Sequence, residues 1–175
     1  MWTYIISGIV AVSLVYVVVT YHRYIKLSIK VKEAFATMDV YLKKRWNLIP
    51  GIVLTITGYI KYERETLEEV IRIRSGVYDM MSSNDKIYTN EQLSMDISKI
   101  MLVAEKYPDL KTNQNFLDLS TQLSEVENDI ADARKYYNTA VRIVNLKIQM
   151  FPSSMVATLF RIKVRRMFEA SRYTT

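Results

Sequence analysis

At 175 residues, half of them hydrophobic with only four Gly and three Pro, the chain is long enough for one domain with a real core and excludes long disordered tracts. A net charge of +6 suits an anionic partner, whether lipid headgroups, nucleic acid or an acidic protein. The absence of Cys excludes a disulfide framework, a thiolate nucleophile and a cysteine-based zinc site, and a single His excludes multi-histidine metal sites.

The first segment, Trp2 to Tyr21, is twenty residues without a charge. That is the length needed to cross a hydrocarbon core of roughly 30 Å. Trp2 and Tyr4 at one end, with Tyr21 and Tyr24 at the other, stand where interfacial aromatics belong. A cleaved signal peptide would need a basic start and a small-residue cleavage site, and neither is present. Residues 1–23 therefore read as a transmembrane anchor. Arg23, Lys26, Lys30 and Lys32 follow it before the first acid, Glu33. The positive-inside rule puts the N-terminus outside and the body in the cytoplasm, a single-pass arrangement in the cell membrane or an organelle-like one.

The helical rhythm continues through Leu27, Val31, Ala34, Met38, Tyr41, Arg45 and Leu48. Asn47–Gly51 then reads as a turn, with Pro50 at the first position of a new helix; a kinked continuous helix is the alternative. The next stripe is Ile52, Ile56, Tyr59, Glu63, Leu67, Val70, Arg74, Val77 and Met81. Ser82–Asp85 reads as a loop within a connection from Met81 to Thr89. A shorter helix follows, with Leu93, Ile97, Ile100, Ala104 and Tyr107 on one face. Arg45, Glu63 and Arg74 interrupt apolar stripes, and burying any one alone costs several kcal/mol. They either pair, Glu63 with one of these arginines, or lie at a helix edge and snorkel to solvent.

Pro108 stops that helix, and Thr112 or Asn113 caps the next. Its apolar positions are Phe116, Leu119, Leu123, Val126, Ile130, Ala133, Tyr137, Ala140, Val144, Ile148 and Phe151, about ten turns at steps of three and four. A helix of that length needs other helices to cover its stripe. The architecture expected is all-α: an antiparallel up-and-down four-helix bundle of long helices (residues 24–152), behind the transmembrane helix and ahead of a basic amphipathic tail (153–175).

Met38–Val70, Glu105–Leu119 with its YPDLK and NQNFLDL, Glu127–Asn145 with its ARKYYN, and Phe151–Phe160 (FPSSMVATLF) together resemble the LemA family, over about three quarters of the chain. The resemblance implies an N-terminally anchored membrane protein with a helical body and no established biochemical activity; some relatives are linked to building magnetosome membranes. Family members often carry a Pro among the basic residues before the terminal FEA, and Arg161–Ala170 has none, so a proline-stiffened tail is not expected.

No residue pattern points to a reaction. His22 reads as an interfacial residue, and Glu125, Asp129 and Asp132 as a solvated acidic face. No Gly-rich phosphate loop and no nucleic-acid motif is present. Neither an enzyme nor a cofactor, metal, nucleic acid or small-molecule substrate is expected. The tail mixes Arg161, Lys163, Arg165 and Arg166 with aromatic and aliphatic groups. With Arg23, Lys26 and Lys30 these cations read as a basic collar against the bilayer surface; a tail packed back onto the bundle, or a partner-protein site, is the alternative. Asp109, Lys111 and Asn113 on the YPDLK corner are the candidate site for protein partners. The reading is a non-enzymatic membrane-anchored scaffold, self-associating or binding other proteins. A regulatory subunit of one membrane protein (a protease, transporter or sensor) is the alternative.

Overall fold

The computed structural model describes residues 1–59, 68, 71 and 78–168. Their regular structure is helical, with no strand among the described residues. Helix α1 runs from Trp2 to Thr57, α2 from Ser83 to Ala104, α3 is the single turn Pro108–Lys111, α4 runs from Gln114 to Gln149 and α5 from Ser153 to Leu159. A 3-10 turn, Tyr78–Met80, precedes α2. The chain forms two compact units. One comprises residues 1–35 and 135–167, the other residues 36–134 and 168–175.

The turn expected at Asn47–Gly51 is absent. Helix α1 passes through Pro50 without interruption, as the kinked-helix alternative had it. Its buried stripe explains why. Val31, Ala34, Met38, Leu42, Arg45, Ile49, Ile52 and Ile56 are buried, and the three-four spacing keeps its phase across the proline. Leu42 and Ile49 take the places expected for Tyr41 and Leu48. A proline inside a helix loses one backbone bond and costs about 3 kcal/mol. Burial of Ile49, Ile52 and Ile56 offsets that cost, since each fully buried aliphatic side chain contributes about 1.5–3 kcal/mol. Gly51 matters at the same place. A Cβ there would stand 3.3 Å from both Leu119 methyls, so its absence lets Leu119 pack close to α1.

Ser82 to Asp85 is a helix start rather than a loop. Ser82 is the N-cap of α2, its Oγ accepting from the Asp85 backbone N–H, and most of the expected 81–89 connection is helical. The polar run was a capping signal: Ser favours the N-cap, and an acid in the first turn complements the helix dipole. Leu93, Ile97, Ile100 and Ala104 form the buried face of α2 as expected. Tyr107 and Pro108 make the corner, with Tyr107 extended and Pro108 at the first helical position of α3. Asn113, not Thr112, caps α4: its Oδ1 accepts from the Phe116 N–H at 3.1 Å. In α4 Phe116, Leu123, Val126, Ile130, Ala133, Tyr137, Val141 and Val144 are buried. Val141 replaces the expected Ala140, and Phe151 is 78% exposed.

The second unit is built around a buried cation. Arg45 is fully buried. Its Nη1 donates to Glu127 Oε1 at 2.7 Å and to Ser94 Oγ at 2.6 Å. Its Nη2 donates to the Asn90 carbonyl and to Asn90 Oδ1, at 2.7 and 2.8 Å. One guanidinium thus ties α1 to α2 and α4 through charge-assisted bonds. Glu63 and Arg74, the other stripe-breaking residues, lie outside the described residues. Arg134 is half-buried close by; burial first, and then the Arg45 charge, lower its affinity for its proton, while Glu127 and Glu91 oppose this. The Arg134 guanidinium lies 4.2 Å from the centre of the buried Phe168 ring. In the same unit the Tyr78 hydroxyl donates to Asp39 and Lys86 Nζ donates to the other carboxylate oxygen, both at 2.7 Å. Burial, reinforced by that bond to a carboxylate, pushes the Tyr78 phenol far above its ordinary pKa.

Two outcomes follow from this packing. Glu127 keeps about a third of its side-chain surface in water, so the cost of Arg45→Ala falls on the buried Asn90 and Ser94 that lose their donor, and unfolding stability should fall by about 1–3 kcal/mol in urea melts of the detergent-solubilised chain; an unchanged stability would show that the network carries little. Pro50→Ala should raise stability by up to about 3 kcal/mol in the same assay, because the helix is already continuous there.

Candidate membrane-facing site

The exposed half of α1 and residues 153–167 of the tail belong to the first unit. From Trp2 to Tyr21 every residue is exposed except Val17 and Thr20. Only 6% of the most apolar 18-residue window of α1 is buried within the chain. That separates it from the core helix of a soluble protein, which passes the same length and hydropathy test while mostly buried. Its two serine hydroxyls return to the helix itself: Ser7 Oγ donates to the Tyr4 carbonyl and Ser13 Oγ to that of Ile9, both at 2.9 Å. No side-chain polar group of Ser7 or Ser13 therefore asks for water.

Arg23, Lys26, Lys30, Arg161, Lys163, Arg165 and Arg166 are all exposed. Helix α1 carries the first three, and the structure brings the other four to the same unit. Within the tail, α5 covers Ser153–Leu159 and residues 162–168 run on without helix. Arg165 Nη2 donates to Ser28 Oγ of α1 at 2.8 Å, between Lys26 and Lys30 in sequence. Asn145 of α4 holds the Arg165 backbone twice, accepting from its N–H and donating to its carbonyl at 2.8 Å. The Tyr137 hydroxyl donates to the Arg166 carbonyl at 3.0 Å. Three successive peptide units of the tail are thus laid along α4. Arg161 has φ of 52°, the left-handed position after α5. Its N–H bonds the Thr158 carbonyl and the Ile162 N–H bonds that of Ala157, the paired bonds that close a helix end. Glycine usually fills this place, and an L-residue there costs roughly 1–2 kcal/mol.

Tyr24 departs from its expected role. It is 3% exposed, and its hydroxyl lies 2.7 Å from the Lys147 carbonyl and 3.0 Å from that of Ser153. With Val156 and Ala157 it forms a small core, against which Val17, Ile148 and Ile162 pack. Ser153, the other buried polar residue here, donates to the carbonyls of Lys147 and Met150. Neither residue stands out by periodicity, because each satisfies a carbonyl more than a hundred residues away or across a turn. His22 is exposed beside Tyr21.

The corner residues belong to the second unit. Asp109 and Lys111 are exposed, and Asn113 is half-buried. The Asn113 amide is already engaged, its Nδ2 donating to the Tyr59 hydroxyl at 2.9 Å while its Oδ1 caps α4. Glu125 and Asp132 are exposed and Asp129 is half-buried. No group of three or more metal-ligating side chains occurs among the described residues. Because Asn145 supplies two of the bonds that hold the tail, at about 1 kcal/mol or less each, Asn145→Ala should speed tryptic cleavage after Lys163, Arg165 and Arg166; unchanged cleavage would mean that these bonds do not hold the segment.

Residues 34–175 match the LemA family. Protein LemA of Metamycoplasma hominis is 24% identical over 143 residues, which cover 81% of this chain and 65% of that protein. Magnetosome proteins MamQ 1 and MamQ 2 of Paramagnetospirillum magneticum are each 29% identical over 73 residues, 42% of this chain and 27% of theirs. The chain thus spans a little under two thirds of its LemA relative and about a quarter of the MamQ proteins. With 142 matched residues out of 175, reaching from the middle of α1 to the C-terminal residue, the chain belongs to the LemA family.

Proposed function

We propose that the chain is a membrane-anchored, non-enzymatic scaffold that organises membrane-associated proteins or membrane shape. One observation carries this reading. The uncharged, exposed start of α1 passes without a break into a cationic segment and then into a buried stripe. Such a helix suits a span joined directly to a folded body. The seven exposed cations would form a collar at the headgroups, each contributing about 1 kcal/mol near an anionic leaflet. The body would be an antiparallel four-helix bundle, N-terminus outside and body cytoplasmic, with Asp109 and Lys111 offered to protein partners. The name of the MamQ relatives, magnetosome proteins, is consistent with a role at an envelope or organelle membrane.

The absence of native Cys makes the test direct. Thr112→Cys places one thiol on the exposed corner. In intact cells it should resist a membrane-impermeant maleimide until the cells are broken, and a thiol crosslinker should then capture a second copy or several proteins from the same position. Labelling in intact cells would reverse the orientation. Capture of one target in fixed ratio would favour the regulatory-subunit reading.

A further inference from the structure

The turn that joins α4 to α5 lies alongside the part of α1 that is proposed to cross the membrane. From Ile148 to Phe160 there are thirteen residues without an ionisable side chain, bounded by Lys147 and Arg161. Met150, Phe151, Met155, Leu159 and Phe160 on it are exposed, Phe151 at 78% and Leu159 at 68%. An apolar groove of about 430 Å³ is lined by Val12, Ser13, Tyr16 and Val17 of α1 on one side and by Pro152, Met155 and Val156 on the other. At the end of α5 the Tyr21 and Phe160 rings stack at 4.5 Å. Val12 precedes Tyr21 by nine residues, roughly 14 Å of helix. That is about half of a 30 Å hydrocarbon core. An element packed against Val12 and Val17 therefore sits as deep as they do.

Non-helical backbone at such a depth is costly unless its polar groups are paired within the protein. Here the structure pairs several of them. The Met150 N–H bonds the Leu146 carbonyl, the Ser154 N–H that of Met150 and the Met155 N–H that of Pro152. Pro152 has no N–H to satisfy. Ser153 Oγ covers the carbonyls of Lys147 and Met150, and the Tyr24 hydroxyl covers those of Lys147 and Ser153. Thr158 Oγ1 bonds back to the Ser154 carbonyl at 3.0 Å. The left-handed residue Arg161 closes α5 and turns the chain out, so that Lys163, Arg165 and Arg166 follow immediately.

We infer that Met150–Phe160 is a second membrane-inserted element: a re-entrant turn and short helix that enter the leaflet next to the body and bury Phe151, Met155 and Leu159 among acyl chains. Its two ends return to cations at the headgroup level. Continuity with the apolar face of α1, and the internal bonds that take up several of the turn's backbone groups, favour lipid over a protein partner. The inference rests on α1 spanning the bilayer, and the test separates the two.

Four single-cysteine full-length variants, Phe151→Cys, Leu159→Cys, Val10→Cys and Thr112→Cys, would carry an environment-sensitive fluorophore. Each would be reconstituted into vesicles of phosphatidylcholine and phosphatidylglycerol containing lipids with a shallow or a deep acyl-chain quencher. The expected result is blue-shifted emission and loss of signal to the quenchers at Phe151→Cys, Leu159→Cys and Val10→Cys, with Thr112→Cys unquenched. Quenching at Val10→Cys without quenching at Phe151→Cys and Leu159→Cys overturns the inserted turn and leaves the anchor standing. Blue-shifted but unquenched emission at both turn positions assigns them to a protein contact and also overturns it. An unquenched Val10→Cys removes the anchor and the inference together. Both turn positions are exposed side chains, so neither substitution opens a core.

Discussion

The constraint on which this structure depends is the uncharged, exposed surface at the start of α1. Twenty residues of helix with almost no burial cannot be kept in water at low cost, and each exposed Val or Ile of the run forgoes about 1.5–3 kcal/mol relative to being covered. Every nearby feature accords with an apolar surrounding. The Ser7 and Ser13 hydroxyls are bonded to their own helix, the charges begin only at Arg23, and Pro152–Phe160, which packs beside this surface, is itself uncharged and carries internal hydrogen bonds. Tyr24 stands at the boundary: its ring packs with Val156 and Ala157 while its hydroxyl serves two carbonyls. An amphipathic aromatic suits this place because one end is apolar and the other needs a partner.

The second unit meets a different problem, a fully buried guanidinium. Arg45 has its Nη atoms bonded to Glu127, Ser94 and Asn90, with donors drawn from α1 and acceptors from α2 and α4. A buried ion pair adds little net stability over an apolar core of the same volume, but it penalises every register that leaves the charge unmatched. The cation therefore acts on which residues of α1 face which residues of α2 and α4. The arrangement is crowded, since half-buried Arg134 lies near enough to feel the Arg45 charge and rests against the Phe168 ring.

The tail joins these themes. Its sequence reads as a basic amphipathic segment, and residues 165 and 166 are held through their backbone by Asn145 and Tyr137. Backbone anchoring leaves the guanidinium and ammonium groups outward. Such a strip presents charge at a defined place, and Arg165 also reaches back to Ser28.

The amino-acid sequence by itself determined the all-helical class, the extent of the uncharged run, the YPDLK corner and the family. These rest on local chemistry: hydrophobic period, proline, capping residues and absence of charge act over a few residues and can be read in order. The apolar stripes of α2 and α4 were legible for the same reason. Tertiary structure decided the rest. Pro50 and the Asn47–Gly51 cluster carry a strong turn signal, but burial of Ile49, Ile52 and Ile56 outweighs it and α1 continues. Ser82–Asp85 reads as a loop, and only the packed helix that follows shows it to be a cap. Glu127 as the partner of Arg45, Ser153 as the partner of Tyr24, and Asn145 as the clamp on Arg165 join positions 82, 129 and 20 residues apart. No periodicity spans such separations, because a hydrogen bond is specified by where two helices bring their side chains, and that placement exists only once the chain has packed.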